Sequence, residues 1–380
     1  MVIVLDTLRA DALQETAVPT FEALGADGLR VERAWSTSTW TVPAVVSIFT
    51  GSFCRTHGWD LPTGDMARRP PLPAMPTLAE VLREAGFRTH GLYANGYLSA
   101  ELGFRRGFEE WRRSVDARMP AEVERMVAGW PADGERHFLY LHLLGVHSGL
   151  KPSEAARARS GLDPAWFTER VGLLIDQAKR DEPGARDAYR RAYRAVVEDL
   201  DVALADLLRA LEPVRSETLV VVTSDHGEEL GETGVFGHGW SVAESLTHVP
   251  LLVAGPGLSA GTRPTASLAE LGDLVTDALG VEHPWPVQSP YLGPLVAERH
   301  GKRAVLAEGR WKGAWSGVEL LRYDLAEDPT GLQPGAGGAA EVEGALQAWQ
   351  AATPAGAALR GSVELDRRTL EALRELGYVE

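Results

Sequence analysis

A buried strand that ends in two ligand-type side chains is the feature that most constrains the fold of this sequence. Residues 218–223 read Thr-Leu-Val-Val-Val-Thr, and Ser224-Asp225-His226-Gly227 follows directly. An apolar, β-branched run of this length is typical of a strand that is covered on both faces. In open α/β sheets, ligands bind just beyond the carboxyl ends of such strands. We therefore expect Asp225 and His226 to lie at a functional edge of a sheet.

Predicted strands and helices alternate along most of the chain. The apolar runs that predict further strands lie at residues 2–5, 89–93, 137–144 and 249–254. The amphipathic patterns that predict helices lie at residues 20–29, 77–85 and 187–211. This alternation predicts the α/β class, with a mostly parallel central sheet and helices on both faces.

The composition of the sequence changes after about residue 280, where prolines become more frequent. Two short strands and a final helix are predicted beyond this point, at residues 303–308, 319–324 and 369–376. We therefore expect a main α/β domain over residues 1–285. Residues 286–380 are expected to form a small C-terminal α+β subdomain with short strands and a final helix.

The composition limits the partners of the chain. A formal net charge of −15 argues against nonspecific binding of nucleic acid, which needs a basic surface. No apolar run reaches the roughly 18 residues of a membrane-spanning helix, so no membrane span is expected. The single cysteine, Cys54, excludes an intramolecular disulfide. No signal peptide is visible, so the default expectation is a cytoplasmic protein.

A second acidic residue, Asp6, directly follows the predicted strand at residues 2–5. An Asp-His pair alone is more typical of a polar turn that caps a helix. A further carboxylate at a neighbouring strand end favours a metal site instead. Two carboxylates with the imidazole of His226 suit one divalent ion, and Ca²⁺, Mn²⁺, Zn²⁺ and Mg²⁺ all remain open.

Thr41 stands at the predicted start of a helix that stops near Gly51, and Pro43 lies in its first turn, where proline is tolerated. Threonine is a good N-cap, which is the structural interpretation of this residue. The functional interpretation is a nucleophile, because a helix N-terminus stabilises anionic groups. A hydroxyl beside a bound metal ion can lose its proton and attack.

Two histidines are candidates for contact with a substrate. His238 lies between two glycines in the loop after the Asp225 strand, and His147 follows the strand at residues 137–144. A histidine in such a place can donate to a phosphate or sulfate oxygen, or protonate a leaving alkoxide. Both are also compatible with ordinary loop histidines. His142 falls inside the apolar strand and is expected to be a core residue.

Taken together and in this order, these segments resemble the sulfatase family of the alkaline-phosphatase superfamily. They include Trp-Thr-Val-Pro-Ala around Thr41, Thr-Ser-Asp-His-Gly-Glu around Asp225, and Gly-His-Gly around His238. The matching segments lie at residues 2–11, 40–44, 47–51, 57–58, 86–89, 103–108, 138–147, 223–228, 237–239, 249–252, 311–312, 323–329 and 373–378.

The resemblance implies a role for each of six residues. It implies an alkaline-phosphatase-like fold and a hydrolase of small anionic sulfate or phosphate esters. The residues that would hold the metal are Asp6, Asp225 and His226, with Thr41 beside it as the nucleophile. The residues that would contact the oxyanion of the substrate are His147 and His238.

The sequence also departs from the family pattern, as the resemblance defines it. Typical sulfatases carry Cys or Ser in a C/S-x-P-x-R motif that matures to formylglycine, whereas Thr41 and Val45 stand there in this chain. No formylglycine is therefore expected. Thr7, Asn95 and Gly145 stand where an acidic residue, a lysine and an aspartate are common.

The threonine favours phosphorus at least as much as sulfur, because a sulfated threonine lacks the exit that formylglycine provides. A phosphorylated threonine can be hydrolysed or can pass its group to an acceptor. The alternatives are a phosphodiesterase or phosphoalcohol transferase of the same superfamily, and a non-catalytic binding protein that keeps the fold. The sequence leaves the metal and the oligomeric state open.

Overall fold

The computed structural model describes residues 1–60, 68–147, 150–163, 173–285, 294–356 and 363–375. In chain order, its strands are β1 (Val2–Leu5), β2 (Leu29–Trp35), β3 (Arg68–Arg69), β4 (Phe87–Tyr93), β5 (Glu110–Arg113), β6 (Arg136–Leu143), β7 (Val220–Thr223), β8 (Glu229–Leu230), β9 (Phe236–Gly237), β10 (His248–Val249), β11 (Leu251–Ala254), β12 (Gly261–Ser267), β13 (Leu295–Arg299), β14 (Lys302–Ala307), β15 (Trp311–Trp315), β16 (Leu320–Asp324) and β17 (Val363–Glu364).

The α-helices enclose the sheet and connect its strands. They are α1 (Ala12–Glu15), α2 (Pro19–Asp27), α3 (Thr41–Thr50), α4 (Cys54–His57), α5 (Leu78–Glu84), α6 (Met119–Val127), α7 (Trp130–Asp133), α8 (Glu154–Arg159), α9 (Leu173–Lys179), α10 (Ala185–Ala210), α11 (Glu244–Thr247), α12 (Leu271–Leu279), α13 (Ala339–Ala352) and α14 (Arg367–Glu375). Within the described ranges, no helix is long and apolar enough to cross a membrane.

Nine of the strands in the described residues form one central sheet in the order β10-β2-β11-β7-β1-β6-β4-β5, with β12 beside β2. Its middle is parallel, since β7, β1, β6, β4 and β5 all run in one direction. The register places Ile3 opposite Leu141 on one side and Val222 on the other. The carboxyl ends of β7, β1, β6 and β4 therefore meet at one edge. Only β10 and β11 run antiparallel to their neighbours in this sheet of the described chain.

Alternate residues of β1 enter two separate apolar layers, which explains why the whole strand is buried. Val2 and Val4 pack in the layer that contains Phe49 of α3, while Ile3 and Leu5 pack in the layer that contains Tyr193 of α10. Each such side chain contributes roughly 1.5–3 kcal/mol when it is removed from water. The sheet thus has helices on both faces, and the predicted α/β class is confirmed.

Beyond residue 293, four strands of the described chain form an antiparallel sheet in the order β13-β14-β15-β16. This C-terminal sheet is joined to the main body through a buried ion pair, since the Lys312 Nζ atom lies 3.0 Å from the Glu244 Oε2 atom. Arg33 of β2 also binds Glu244, at 2.6 Å. The predicted boundary at residue 285 adjoins a segment outside the described residues, and the division into domains stays a prediction.

The predicted elements match the structure at the strands and helices that lead to the candidate site. A capping box stabilises the start of α5, where Glu80 N–H donates to the Thr77 hydroxyl and Thr77 N–H donates to the Glu80 carboxylate. The run at residues 249–254 is broken into β10 and β11, and the elements that were not predicted include β2, β12, α6, α12 and α13. The final helix is observed as α14, and Gly377 lies outside the described residues.

Candidate active site

The side chains of Asp6, Asp225 and His226 meet at the edge of the sheet where β1 and β7 end. One ligand atom from each lies within 4.8 Å of the others, and they are the one such group of three found in the described residues. All three are fully buried. Their assembly follows from the parallel pairing of β1 with β7, which brings the residues after Leu5 and Thr223 to the same place.

The backbone fixes the imidazole of His226 in one orientation. Its Nδ1 atom lies 2.9 Å from the carbonyl oxygen of Gly227, so Nδ1 carries the proton and donates it there. The Nε2 lone pair then faces the carboxylates, 3.6 Å from Asp6 Oδ1 and 3.7 Å from Asp225 Oδ2. The Thr41 Oγ1 atom is 3.3 Å from the same nitrogen. A histidine held in this way is typical of a metal ligand.

The two carboxylates lack enough protein partners for their charge. Burial, then the nearby Asp225, raises the pKa of Asp6 well above its usual range. Burial alone would also raise the pKa of Asp225, but His226 and His142 together hold it below its usual range. Among the described residues, Asp6 Oδ1 and Asp225 Oδ2 are buried without a hydrogen bond. Burial likewise lowers the pKa of His226 to about 4, so its imidazole is neutral.

These features fit a divalent cation. One buried oxygen of each carboxylate and the neutral imidazole nitrogen of His226 point at a common space. Unpaired charges in such a place are costly unless they are neutralised. Oxygen and nitrogen donors of this kind suit Ca²⁺, Mn²⁺, Zn²⁺ or Mg²⁺.

Thr41 is the first residue of α3 and faces this group. Trp40 before it is extended, and Gly51 closes the helix in a left-handed conformation with φ of 61°. Thr41 makes no N-cap hydrogen bond; its Oγ1 instead contacts His226 and accepts from Asn95 Nδ2 at 3.3 Å. The geometry therefore does not support the N-cap interpretation of Thr41.

His238 and His147 lie beside the group rather than elsewhere on the surface. The ring of His238 is centred 4.5 Å from the ring of His226 and 5.0 Å from that of His147. The Nδ1 atom of His238 is 3.2 Å from Glu228 Oε2, which leaves Nε2 as the nitrogen on the far side of the ring. Burial lowers the pKa of His238 to about 4 and raises that of Glu228 to about 7.

A family model described as Sulfatase matches residues 1–281, which is most of the chain. The chain belongs to the sulfatase family. Its relatives include choline-sulfatase of Rhizobium meliloti (strain 1021), which is 32% identical over 207 residues. The matched segment covers 48% of this chain and 40% of that protein, so the chain spans less than half of that relative's length.

Solved structures of low sequence identity share the fold. A putative sulfatase from Bacteroides thetaiotaomicron has a TM-score of 0.71 at 16% identity, with 97% of this chain and 95% of that one covered. A phosphonate monoester hydrolase from Silicibacter pomeroyi has a TM-score of 0.68 at 18% identity, with 91% and 92% covered. The predicted alkaline-phosphatase-like fold is thereby confirmed.

Three further residues of the site carry little or no signal in the sequence. His142 is buried as expected, but its Nε2 atom lies 3.5 Å from Asp225 Oδ2 and supports that carboxylate. Asn95, noted only as a departure from the family lysine, donates to Asp6 Oδ2 at 2.9 Å. Arg299 of the C-terminal sheet was not singled out, yet its Nε donates to the carbonyl of Gly239 at 3.1 Å.

The backbone is strained at Thr7, which follows Asp6 and stands where the family commonly has an acidic residue. Thr7 has φ of 63°, a left-handed conformation that is costly for a β-branched residue. Its carbonyl accepts from the Tyr193 hydroxyl at 2.7 Å. The N–H of Leu8 donates to Ser224 Oγ at 3.0 Å, which ties this turn to the one that carries Asp225. The strain is thus held by contacts that set the positions of both acidic residues.

Proposed function

We propose that this chain hydrolyses sulfate or phosphate esters, with Thr41 as the nucleophile and a divalent ion held by Asp6, Asp225 and His226. The position of the Thr41 hydroxyl carries the proposal. Its oxygen lies 3.3 Å from His226 Nε2, beside the buried acidic group and at the N-terminus of α3. A positive helix end and a cation favour an anionic substrate in this place.

The residues around Thr41 would have distinct roles in the reaction. When bound, a divalent ion would lower the pKa of the Thr41 hydroxyl and offset the negative charge of the substrate. Asp6, Asp225 and His226 would hold it, with Thr41 beside them. Asn95 donates a hydrogen bond to Thr41 Oγ1, so the proton of the Thr41 hydroxyl points away from Asn95.

The reaction then takes place in two displacements at Thr41. The Thr41 hydroxyl gives up its proton to solvent and its oxygen attacks phosphorus or sulfur. The new O–P or O–S bond forms, and the bond to the alcohol breaks. Protonated His147 gives its proton to the departing alkoxide and then takes one from the attacking water. His238 donates from Nε2 to a non-bridging oxygen of the substrate while its Nδ1 accepts from the protonated carboxyl of Glu228, whose pKa is raised to about 7. Water then attacks the esterified threonine and releases the inorganic anion together with a free Thr41 hydroxyl.

We favour phosphorus over sulfur among the two ester classes. Threonine offers no second hydroxyl that could expel sulfate, so its sulfate ester would have to await attack at sulfur. A phosphothreonine is cleared by in-line attack of water at phosphorus. No formylglycine is expected at this position. The choline-sulfatase relative keeps sulfate esters within the proposal, and both classes therefore belong in the assay.

The proposal is tested by turnover of 4-nitrophenyl phosphate, a phosphate diester, a phosphonate ester and 4-nitrophenyl sulfate, each with Mn²⁺, Zn²⁺, Ca²⁺ or Mg²⁺. The variant is Thr41→Ala, and the matched control is Thr50→Ala at the other end of the same helix, also fully buried. Thr41→Ala should lower kcat by about 1,000-fold or more, whereas Thr50→Ala should stay near wild type.

Two results would reject the proposal in different ways. Turnover by Thr41→Ala at the wild-type rate would show that another group is the nucleophile. A wild-type chain that binds none of the four ions and cleaves no ester would instead be a non-catalytic binding protein. Transfer of the phosphoryl group to an added alcohol, in preference to water, would identify a transferase that uses the same Thr41.

A further inference from the structure

A buried arginine of the C-terminal sheet lies between the two segments that carry Thr41 and His238. Arg299 is the last residue of β13, and only 4% of its surface is exposed. The position is unexpected for a residue that the sequence assigns to a separate C-terminal subdomain.

The guanidinium of Arg299 contacts both segments at once. Its Nε donates to the carbonyl oxygen of Gly239, the residue after His238, at 3.1 Å. Its central carbon lies 4.6 Å from the ring centre of Trp40, the residue before Thr41. Its Nη1 atom is 3.5 Å from Asp60 Oδ1, which also accepts a hydrogen bond from the backbone N–H of His300 at 2.9 Å.

The backbone around Arg299 is tied to the same segments. Glu298 N–H donates to the carbonyl of Thr37 at 2.9 Å, and Ser38 Oγ donates to the carbonyl of Glu298 at 2.8 Å. Thr39 Oγ1 donates to the carbonyl of Ser241 at 2.8 Å, which joins the two segments directly. The end of β13 is therefore seated where the Thr41 and His238 segments meet.

We propose that Arg299 is a positioning residue that clamps these two segments and sets the separation of the Thr41 hydroxyl and the His238 imidazole. The planar guanidinium can stack on an indole while its N–H groups bond in the ring plane, which a lysine cannot do. The C-terminal sheet thereby completes the site. The catalytic consequence rests on the proposed function, because a displacement of about 1 Å between reacting groups costs roughly 100-fold in rate.

The clamp itself is tested without any substrate, by hydrogen–deuterium exchange of Arg299→Ala. The matched control is Arg310→Ala in the same sheet, because Arg310 also stacks on a tryptophan, Trp311, at 4.5 Å and binds a carboxylate, Asp324. Arg299→Ala should speed exchange at residues 37–41 and 238–241, and Arg310→Ala should not. Unchanged exchange in either segment of Arg299→Ala would overturn the clamp.

The positioning role is tested on the chain with an ester that the wild type cleaves. We expect kcat of Arg299→Ala to fall about 10- to 100-fold with a smaller change in KM, and millimolar guanidinium chloride to restore part of it. Arg299→Lys, which keeps the charge but not the planar guanidinium, should remain impaired and should not respond to guanidinium. Faster exchange with wild-type kcat would show a purely structural role and reject the proposal.

These readouts separate the inference from the proposed function. If the wild-type chain cleaves no ester, the proposed function fails, while the exchange of residues 37–41 and 238–241 still decides whether Arg299 clamps the two segments. If the wild type is active and Arg299→Ala, Arg299→Lys and Arg310→Ala all match it, the proposed function stands and the positioning role is wrong.

Discussion

Two carboxylates buried side by side, those of Asp6 and Asp225, are an energetic liability at the residue scale. Asp6 and Asp225 face the same space, and each has one buried oxygen without a hydrogen bond among the described residues. Bringing two such charges out of water costs several kcal/mol per ion after relaxation. The same oxygens lie close enough to His226 Nε2 to hold a divalent ion together, and a bound ion would offset this cost.

The first prediction separates stability from metal binding through Asp6→Asn. Without metal, the substitution should raise the melting temperature at pH 8, because it removes a buried charge whose pKa is raised by burial and by Asp225. With metal, it should abolish the stabilisation that Mn²⁺ or Zn²⁺ gives the wild type. Thermal unfolding in EDTA and in excess metal measures both. A lower metal-free melting temperature together with intact stabilisation by metal would contradict this account.

Residues at strand ends were predictable, and residues that act across the fold were not. Asp6, Asp225 and the histidines after β6 and β7 follow apolar runs, so the sequence alone placed them at one edge of a sheet. His142 was read as a core residue, because an apolar strand does not reveal that one side chain faces a carboxylate from β7. Arg299 carried no local signal at all, since its partners at Trp40 and Gly239 are remote in sequence.

At the element scale, the turn after β7 is fixed by a close backbone contact. A Cβ atom on Gly227 would lie 1.9 Å from the carbonyl oxygen of Ser245, so no other residue fits without a shift of the chain. Gly227 also supplies the carbonyl that orients His226. The glycine in the Asp-His-Gly motif therefore serves the position of the imidazole.

The second prediction uses this contact. Gly227→Ala should displace the turn, misplace His226 and weaken divalent-ion affinity by roughly 10- to 100-fold, as is found for residues that orient metal ligands. The matched control is Gly129→Ala, because a Cβ at Gly129 meets no atom within 4 Å. Isothermal titration with Mn²⁺ compares the two chains. Equal affinities for both variants would show that the turn at Gly227 does not determine the position of the His226 imidazole.

Element prediction succeeded where one pattern dominated a segment. The β-branched runs of β1 and β7 and the long amphipathic α10 were found with ends within a few residues. By contrast, β2 reads Leu-Arg-Val-Glu-Arg-Ala-Trp, and its charges conceal an internal strand with neighbours on both sides. The antiparallel direction of β11 is set by pairing with β2 and β7, which no local pattern encodes.

At the scale of the whole molecule, a buried ion network joins the C-terminal sheet to the main sheet. Glu244 binds both Lys312 and Arg33, and the side chain of Lys312 is only 1% exposed. The third prediction is that removing the charge of Glu244 costs more free energy of unfolding than removing the charge of Lys312. Glu244→Gln should cost about 3–5 kcal/mol because it leaves a buried cation without its carboxylate.

Lys312→Met should cost less than Glu244→Gln, because Glu244 keeps its ion pair with Arg33 at 2.6 Å. The free energy of unfolding in urea measures both variants, with the wild-type chain as reference. Equal losses, or a larger loss in Lys312→Met, would show that the network does not depend on Glu244 in this way.

The fourth prediction concerns the stability of the chain in acid. Burial lowers the pKa of His57 to about 3, and the neutral ring contacts Ser47 Oγ at 3.1 Å. Below pH 6.5 the unfolded chain binds a proton at His57 that the folded chain does not. The free energy of unfolding therefore falls as the pH is lowered, until the folded chain also binds this proton at a pH of about 3. The loss is about 1.4 kcal/mol for each pH unit across this window.

His57→Gln removes the titrating imidazole, so the free energy of unfolding of the variant should depend less on pH. Between pH 7 and pH 5, the wild type should lose about 2 kcal/mol more than the variant, measured as free energies of urea unfolding. Parallel curves for the two chains would mean that the imidazole of His57 gains its proton while the chain is still folded.

The central claim is that Thr41 takes the group from the substrate onto its own oxygen. The most direct measurement is mass spectrometry of the Thr41 peptide after acid quench during turnover of an aryl phosphate. The account predicts the added mass of one phosphoryl group on Thr41, absent without metal and absent in Thr41→Ala. A phosphoryl group on another side chain, or full turnover by Thr41→Ala, would contradict it.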